Sequence, residues 1–521
     1  VSGEPAAYPE DVATGALAGT VEAMLRDGWR LALVAGHDDG DGFRVVYCFL
    51  RPVGQRRELV VRLPHEHPEL PSLAGLSYPA GRFERELRDL FGIEPVGHPM
   101  ARGLVRHGHW PTTWHPMLRD AGPMPDFEPD VGSYPFVHVQ GDGVYEIPVG
   151  PIHAGIIEPG HFRFSVVGET ILRMKARLWF VHRGMERLFQ GRFPDEAIEL
   201  AERISGDTAV GHTVSFVQAV EQALGITIDP VVAARRALLL ELERLYNHVA
   251  DLGMIANDVG FGIAHIHTQR LREKLLRHNA AVTGHRLLRG GVTVGAARLL
   301  RDPDLAMVAD VAAEVAEIVA FTLSHSVVTD RFTGTAVLRA DLAGSLGVLG
   351  YVARASGIDI DARRDHPSVD LGPDFSVVTQ EGGDVLARYA VRAGEVAVSA
   401  SILPHLAELA AGVSGVGGGD SAAGGAARDG DSAAGGERTA YPRQGGGTDE
   451  PTAGLGVVEA WRGTLCHRVE LAPDGRLTRV KIVDPSFFTW PGLPVALADT
   501  IVPDFPLANK SFNQSYAGND L

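Results

Sequence analysis

Cysteine is nearly missing from this sequence: 521 residues hold two, Cys48 and Cys466, far apart along the chain. Two thiols cannot build a disulfide framework, a zinc ribbon or an iron–sulfur cluster. Basic residues are also in deficit, 48 against 65 acidic ones, for a formal charge of −17. Phosphate binding needs a basic footprint, so nucleic acid is excluded as the main partner. Long apolar runs are absent as well. The most apolar stretch, Leu305–Val328, is broken by Asp310, Glu314 and Glu317 and reads as a buried or amphipathic helix, not a membrane span. The opening Val1-Ser-Gly-Glu has neither a basic start nor an apolar run, so no secretory signal is expected. No glycine-rich strand-turn-helix fingerprint for a dinucleotide stands out. Contact with a membrane, or with NAD, is expected only through partner subunits.

What is present is a globular composition, 45% hydrophobic and 22% charged, with length for two or three domains. A first domain is expected over residues 1–120. Thr14–Asp27 reads as an amphipathic helix with Thr14 as N-cap. Trp29–Ala35, Phe43–Arg51 and Glu58–Leu63 read as strands. A charged helix through Phe83 ends at Gly92, with Glu84, Arg85, Glu86 and Arg88 expected to be solvated or interface charges. His65, His67, His107, His109 and His115 lack the company of cysteines or tightly spaced acids that a metal site needs. Residues 121–149, with five prolines, read as a mostly irregular connector.

A large domain is expected over 150–521. Gly150-Pro-Ile-His-Ala-Gly-Ile-Ile-Glu-Pro-Gly-His161 opens a β-hairpin: Phe162, Phe164 and Val166 alternate, Gly168-Glu169 turns, and Ile171–Phe180 returns. A helix beginning near His182 then places Arg183, Glu186 and Arg187 within one turn. Helical periodicity covers Glu196–Leu224, a helix opened by Asp229-Pro230 and running to about Ala256, Gln269–Leu288, and Asp302–His325. Four long helices with short joins imply an antiparallel bundle. Arg354, Asp359, Asp361 and Arg363 are opposite charges beside Ser356-Gly357, as in a buried network. Residues 412–453, with Asp-Ser-Ala-Ala-Gly-Gly twice, read as a disordered insertion following a helix at Ala400–Ala411. Strands are expected at Val457–Cys466, Arg468–Leu471 and Leu477–Val483, the last two joined at Asp474-Gly475. The fold class is α+β: a small N-terminal α/β domain, then a large domain with a β-hairpin, an antiparallel helix bundle and a small C-terminal sheet.

Several strings, in order, resemble one family: the hairpin, Val181-His-Arg-Gly-Met-Glu-Arg187, Ala201-Glu-Arg-Ile-Ser-Gly-Asp-Thr208, Ala353–Arg363 and the tail from Asp484 to Leu521. They are similar to the large subunit of membrane-bound nickel–iron hydrogenases and to the 49-kilodalton quinone-site subunit of respiratory complex I. Phe83–Pro99 resembles the signature of the 30-kilodalton complex I subunit, which the hydrogenlyase-type branch carries fused in front. The resemblance implies four thiolate ligands in two Cys-x-x-Cys pairs. Here Ser205, Thr208, Ser515 and Gly518 stand in those places, and hydroxyls or glycine cannot replace bridging thiolates. The chain as given ends at Leu521 without the removable tail that many such hydrogenases carry. Hydrogen activation at this site is therefore not expected.

The resemblance then implies a vacated pocket holding quinone as the probable substrate, with no covalently bound cofactor. Its lining would be His153, His161, Ser205, Gly206, Asp207, Thr208 and Ser515. His161 matches the hairpin histidine that contacts the headgroup. The family's tyrosine falls at Gly206, leaving Asp207 or Thr208 to replace it, so His161 and Asp207 are the catalytic candidates. Glu186, Arg203, Arg354, Asp359 and Arg363 would form the surrounding charge network. The implied assembly is a complex I-like NADH:quinone oxidoreductase or hydrogenlyase, peripheral on the cytoplasmic membrane face. It would include an iron–sulfur small subunit and membrane-arm subunits, with the clusters and any NAD on those partners. The competing reading is a redox-inactive scaffold joining these partners; a third places a metal with oxygen ligands at Glu186.

Overall fold

The structure, a computed structural model, describes residues 9–100, 102–127, 129, 134–154, 157–412 and 452–521. The N-terminal part is a meander flanked by helices. Strand β1 (Glu10–Asp11) precedes helix α1 (Leu17–Arg26), β2 (Arg30–Asp38), β3 (Gly42–Arg51) and β4 (Gln55–Pro64). The order is β1-β4-β3-β2, antiparallel except for the short β1. Thr14 is not a cap: a 3₁₀ turn, Thr14–Ala16, leads into α1 without a side-chain cap.

Helix α2 (Tyr78–Phe91) starts at Ser77 and stops, as its sequence demands, at Gly92 with φ 75°. Of the charges expected to be solvated or at an interface, Glu84 and Arg85 are buried and Glu86 and Arg88 half-buried. Arg82, Glu84 and Arg85 are buried, because the helix is wedged against both the meander and Phe487 and Phe488 of the C-terminal part. Glu84 accepts from Ser72 Oγ at 2.6 Å and Leu73 N at 2.5 Å, yet burial pushes its carboxyl up to about 7.

The hairpin is present as β6 (His161–Val167) and β7 (Thr170–Arg177), but its first strand is the middle one of a three-stranded sheet. Strand β5 (Val144–Val149), which falls in the expected connector, pairs with β6. The following helix, α3 (Met185–Phe189), begins later than His182, because Gly184 at φ 65° breaks the approach. The periodic block 196–224 is two helices, α4 (Pro194–Ala201) and α5 (Ala209–Leu224), parted by a turn over 202–208.

Helix α6 (Pro230–Asn257) is capped by Asp229, which accepts from Val231 N at 2.8 Å. It packs on α7 (Gly262–Thr283). Helix α8 (Leu305–Ser324) is capped by Asp304, not Asp302. Helix α9 (Gly350–Ala355) is short, and α10 (Val385–Ala410) runs 26 residues where only Ala400–Ala411 is legible. Arg388, Arg392, Glu395 and Ser399 on its buried face interrupt the usual apolar stripe.

Strands β8 (Thr452–Ala460), β9 (Gly463–Leu471) and β10 (Leu477–Val483) form an antiparallel sheet. The break between the first two comes at Trp461-Arg462, inside the stretch read as one strand. The turn at Asp474-Gly475 is where expected, with Gly475 at φ 84°. The chain ends in helix α11 (Tyr516–Asp520). Of the expected insertion, Gly412 is a turn residue and Thr452 and Ala453 begin β8; the rest, with its repeat, lies outside the described residues. No helix among the described residues is long and apolar enough to cross a membrane.

Candidate functional site

The turn 202–208 ends at the N-terminus of α5 and is held by its backbone. The Asp207 carbonyl accepts from Asn247 Nδ2 at 2.8 Å, Trp461 Nε1 at 3.0 Å and Tyr246 Oη at 3.3 Å. The Asp207 carboxylate takes both arms of Arg462, at 2.6 and 2.7 Å, and also accepts from Ser205 Oγ and Thr208 Oγ1. Burial alone would raise this carboxyl, but the Arg462 guanidinium outweighs it and holds the group below its ordinary value. Asp207 is thus an ionised acceptor, and Thr208 spends its proton on it. Neither is the free donor expected in place of the missing tyrosine.

The four ligand-like positions do converge. Ser205 Oγ and Ser515 Oγ are 2.8 Å apart, joining positions 310 residues distant in sequence. Thr208 Oγ1 accepts from Trp461 Nε1 at 3.1 Å. Gly518 N donates to Ser515 Oγ at 2.9 Å, and a Cβ at 518 would lie 2.6 Å from the Asp484 carboxylate. Asp484 in turn accepts from Ser486 N and meets His212 Nε2 at 3.1 Å, whose Nδ1 is 3.1 Å from His467. These residues do not fit a nickel–iron centre: the hydroxyls bond one another, and the fourth place is filled by a neighbour's carboxylate. Cys48 and Cys466 are buried elsewhere, Cys48 against Glu58, and burial pushes the Cys466 thiol up to about 11.

His153 and His161 close the loop that opens the hairpin. His153 Nε2 is 2.8 Å from Gly160 O and His161 Nδ1 is 3.1 Å from Gly150 O, each a bond across the loop's own backbone. No hydrogen bond joins either histidine to the 205–208 turn or to Ser515 among the described residues. The loop is nonetheless tied to α11: Glu158 accepts from Ala517 N at 3.0 Å, and Gly160 packs so closely on the Tyr516 ring that no Cβ would fit. Gly206 has open space around it.

The expected charge network is really two clusters and two bystanders. Arg354, fully buried, bonds Glu395 at 2.7 Å and Glu459 at 2.8 Å, with Asp361 at 3.6 Å. Arg363 pairs with Asp361 and Glu241, and Arg244 and His248 complete the knot. Glu186 belongs elsewhere, to Arg479 at 2.7 Å and Lys481 at 3.0 Å, with Glu86 also on Lys481. Glu186 Oε1 also accepts from Ile482 N at 3.0 Å, so two cations stand where the oxygen-ligand reading would place a metal. Asp359 pairs with Arg364 at the surface, and Arg203 pairs with Glu199 along α4's exposed end; neither reaches the interior.

Trp461, Arg462, His212, Asp484 and His467 are the site residues that sequence reasoning missed. Trp461 and Arg462 were hidden inside an apparently continuous strand. Beyond Gly518 lies a cavity of 40 Å³ bordered by Glu86, Trp179, His182, Glu186, Lys481 and Asp520. That is room for a few waters, not a quinone headgroup, and none of the expected pocket residues lines it.

The family described as respiratory-chain NADH dehydrogenase, 49 Kd subunit, matches residues 258–520. The 30 Kd subunit family matches 16–126, and the nickel-dependent hydrogenase family matches 183–252. The chain is 31% identical over 510 residues to formate hydrogenlyase subunit 5 of Escherichia coli (strain K12), covering 95% of this chain and 85% of that one. It is 30% identical over 411 residues to the fused C/D polypeptide of NADH-quinone oxidoreductase from Phocaeicola vulgatus, covering 72% and 77%. Among solved structures, a chain of the membrane-bound sulfane sulfur reductase, an archaeal respiratory membrane complex, superposes with TM-score 0.60 at 22% identity. It covers 74% of this chain and 100% of that one, and shows the shared fold. The chain belongs to the family of the complex I 49-kilodalton subunit and the nickel-dependent hydrogenases, with the 30-kilodalton-subunit family's domain ahead of it.

Proposed function

We propose that this chain is the large peripheral subunit of a complex I-like or hydrogenlyase-like membrane oxidoreductase that does not itself activate hydrogen. The carrying observation is the hydroxyl pair Ser205–Ser515 where bridging thiolates would be needed. Residues 1–120 act as the gripping domain, 121–149 as connector and 150–521 as the large domain. Electrons arrive from iron–sulfur clusters on a partner, and any NADH, formate or other donor is handled by another subunit. The quinone headgroup binds beside the hairpin loop that Glu158 and Gly160 pin to α11, and its donor is the His161 Nδ1–H, which turns to it from Gly150 O. The chain sits on the cytoplasmic face, held to the membrane arm by partners.

The scaffold reading is favoured by a specific observation: Arg462 takes both oxygens of Asp207, leaving that residue no proton to supply. His161→Ala in the assembled complex separates the two. Losing one well-placed donor lowers quinone-linked turnover by about a hundredfold or more, with the assembled set of subunits unchanged. His153→Ala, which only closes the loop, does less. Normal turnover in an intact His161→Ala complex would establish the scaffold reading.

A further inference from the structure

Away from this site, two open cavities meet at one buried histidine. The larger, 380 Å³, lies between Arg56 of β4, Gln218 and Gln222 of α5, and Leu455 and Val457 of β8. The second, 290 Å³, lies between Gly28 and Arg30 before and at the start of β2, Ile358–Ile360, and Thr464. His366 lines both. It is 8% exposed, its Nδ1 has no partner, and its side chain makes no hydrogen bond among the described residues.

The Arg30 and Arg56 guanidinium groups beside it make no ion pair among the described residues. The Arg30 side chain makes no hydrogen bond there either, and the Arg56 side chain donates, among the described residues, only to a neutral acceptor, Leu455 O. The neighbouring acids are already taken. Asp359 and Asp365 bond Arg364 at 2.6 and 2.9 Å; Glu459 holds Arg354 and Thr464; Glu221 takes both arms of Arg236. Burial lowers both guanidinium groups, and burial with the charges of Arg56 and Arg30 pushes His366 down to about 3, so its ring is neutral and keeps one N–H to donate. Two partly buried forks and an imidazole, facing cavities of ligand size with no acid in contact, are what a planar or tetrahedral oxyanion satisfies.

We propose that Arg30, Arg56 and His366 bind the oxyanion of a small molecule, a phosphate or a carboxylate, whose body lies in the larger cavity. The site is independent of the quinone reading. The test uses the full-length chain, with inorganic phosphate and malonate as probes and sodium chloride at equal ionic strength as control. At least one probe is expected to raise the melting temperature beyond the chloride control and to give a saturable titration heat. The stronger probe identifies the class: phosphate a phosphorylated ligand, malonate a carboxylate. Arg30→Gln is expected to weaken binding about tenfold or more, while melting in anion-free buffer at or above wild type, since burial of this charge outweighs the attraction of Glu459 and Asp365. A structural arginine would lower it. The proposal is overturned if both probes act only as chloride does, if Arg30→Gln binds as wild type, or if that variant loses stability without anion.

Discussion

At the scale of single residues, the place beside position 518 is taken by a neighbour. With glycine there, the Asp484 carboxylate lies where a side chain from 518 would project, held by His212 and Ser486. Asp207 neutralises Arg462, which is itself buried and stacked 3.9 Å over the Trp461 ring. Asp207→Asn removes that counter-ion. The expected loss is about 1–3 kcal/mol of unfolding free energy, toward the lower end because Asp207 is half-exposed and water replaces part of the bond. The pH sense follows from a folded-state pKa below the unfolded one. The stabilisation is complete above the unfolded carboxylate's range and fades as pH falls through the folded value. Urea titrations should therefore show the gap between wild type and variant narrowing as pH drops below about 4. A gap independent of pH would mean the charge of Asp207 contributes nothing.

At the scale of elements, close packing of α5 on β8 positions both ends of the site. Gly454 and Gly456 turn toward the helix, and a Cβ at 456 would collide with the Ser215 carbonyl, one at 454 with the Ala219 carbonyl. Those are backbone atoms that cannot rotate aside. Ser215 Oγ meanwhile donates to Gly456 O at 3.1 Å. The approach sets where the Trp461-Arg462 turn meets the 205–208 turn, so the strand's glycines act on the site from a distance. Gly456→Ala should cost about 3 kcal/mol or more, the upper range for overpacking, and weaken the Asp207–Arg462 contact. Chemical denaturation giving a loss under about 1 kcal/mol would show that helix and strand slide apart freely. The 354–363 knot works at the same scale, joining α6, α9, α10 and β8 through Glu241, Arg354, Glu395 and Glu459.

At the scale of the whole molecule, the N-terminal meander and the C-terminal sheet are locked by ion pairs over a shared core. Arg44 takes both oxygens of Glu470 at 2.9 and 3.0 Å, Arg468 meets Glu58 at 3.2 Å, and Lys481 meets Glu86 at 2.6 Å. Burial opposes ionisation of Glu470, but His37, Arg44 and Arg468 hold it down at about 2. Its contribution is present above the unfolded value near 4.5 and is lost as pH falls from there toward 2. The shift corresponds to about 3 kcal/mol. Glu470→Gln should lower stability by that order at pH 7 and make the two proteins converge in acid. Equal stability at pH 7 would show that the seam is held by its apolar contacts alone.

By itself the sequence determined the class of fold, the strand and helix runs whose periodicity is clean, and the family. It also determined that positions 205, 208, 515 and 518 offer no thiolate set, because that is a matter of residue type and no packing can supply sulfur. The convergence of 205, 208, 515 and 518 was legible only through the family's motifs, since 310 residues separate the bonded serines. Tertiary structure alone decided the rest. Arg82, Glu84 and Arg85 look solvated on a charged helix until Phe487 and the meander cover them. The apolar stripe of helix α10 is interrupted because Arg392 and Glu395 are buried among its apolar residues and matched by residues from α6 and α9. Asp207, an apparent proton donor, is an acceptor only because Arg462 arrives from 255 positions away. Periodicity records which face a residue shows its neighbours in sequence; whether a charge is paired, and so what it can do, is set by partners that only folding brings near.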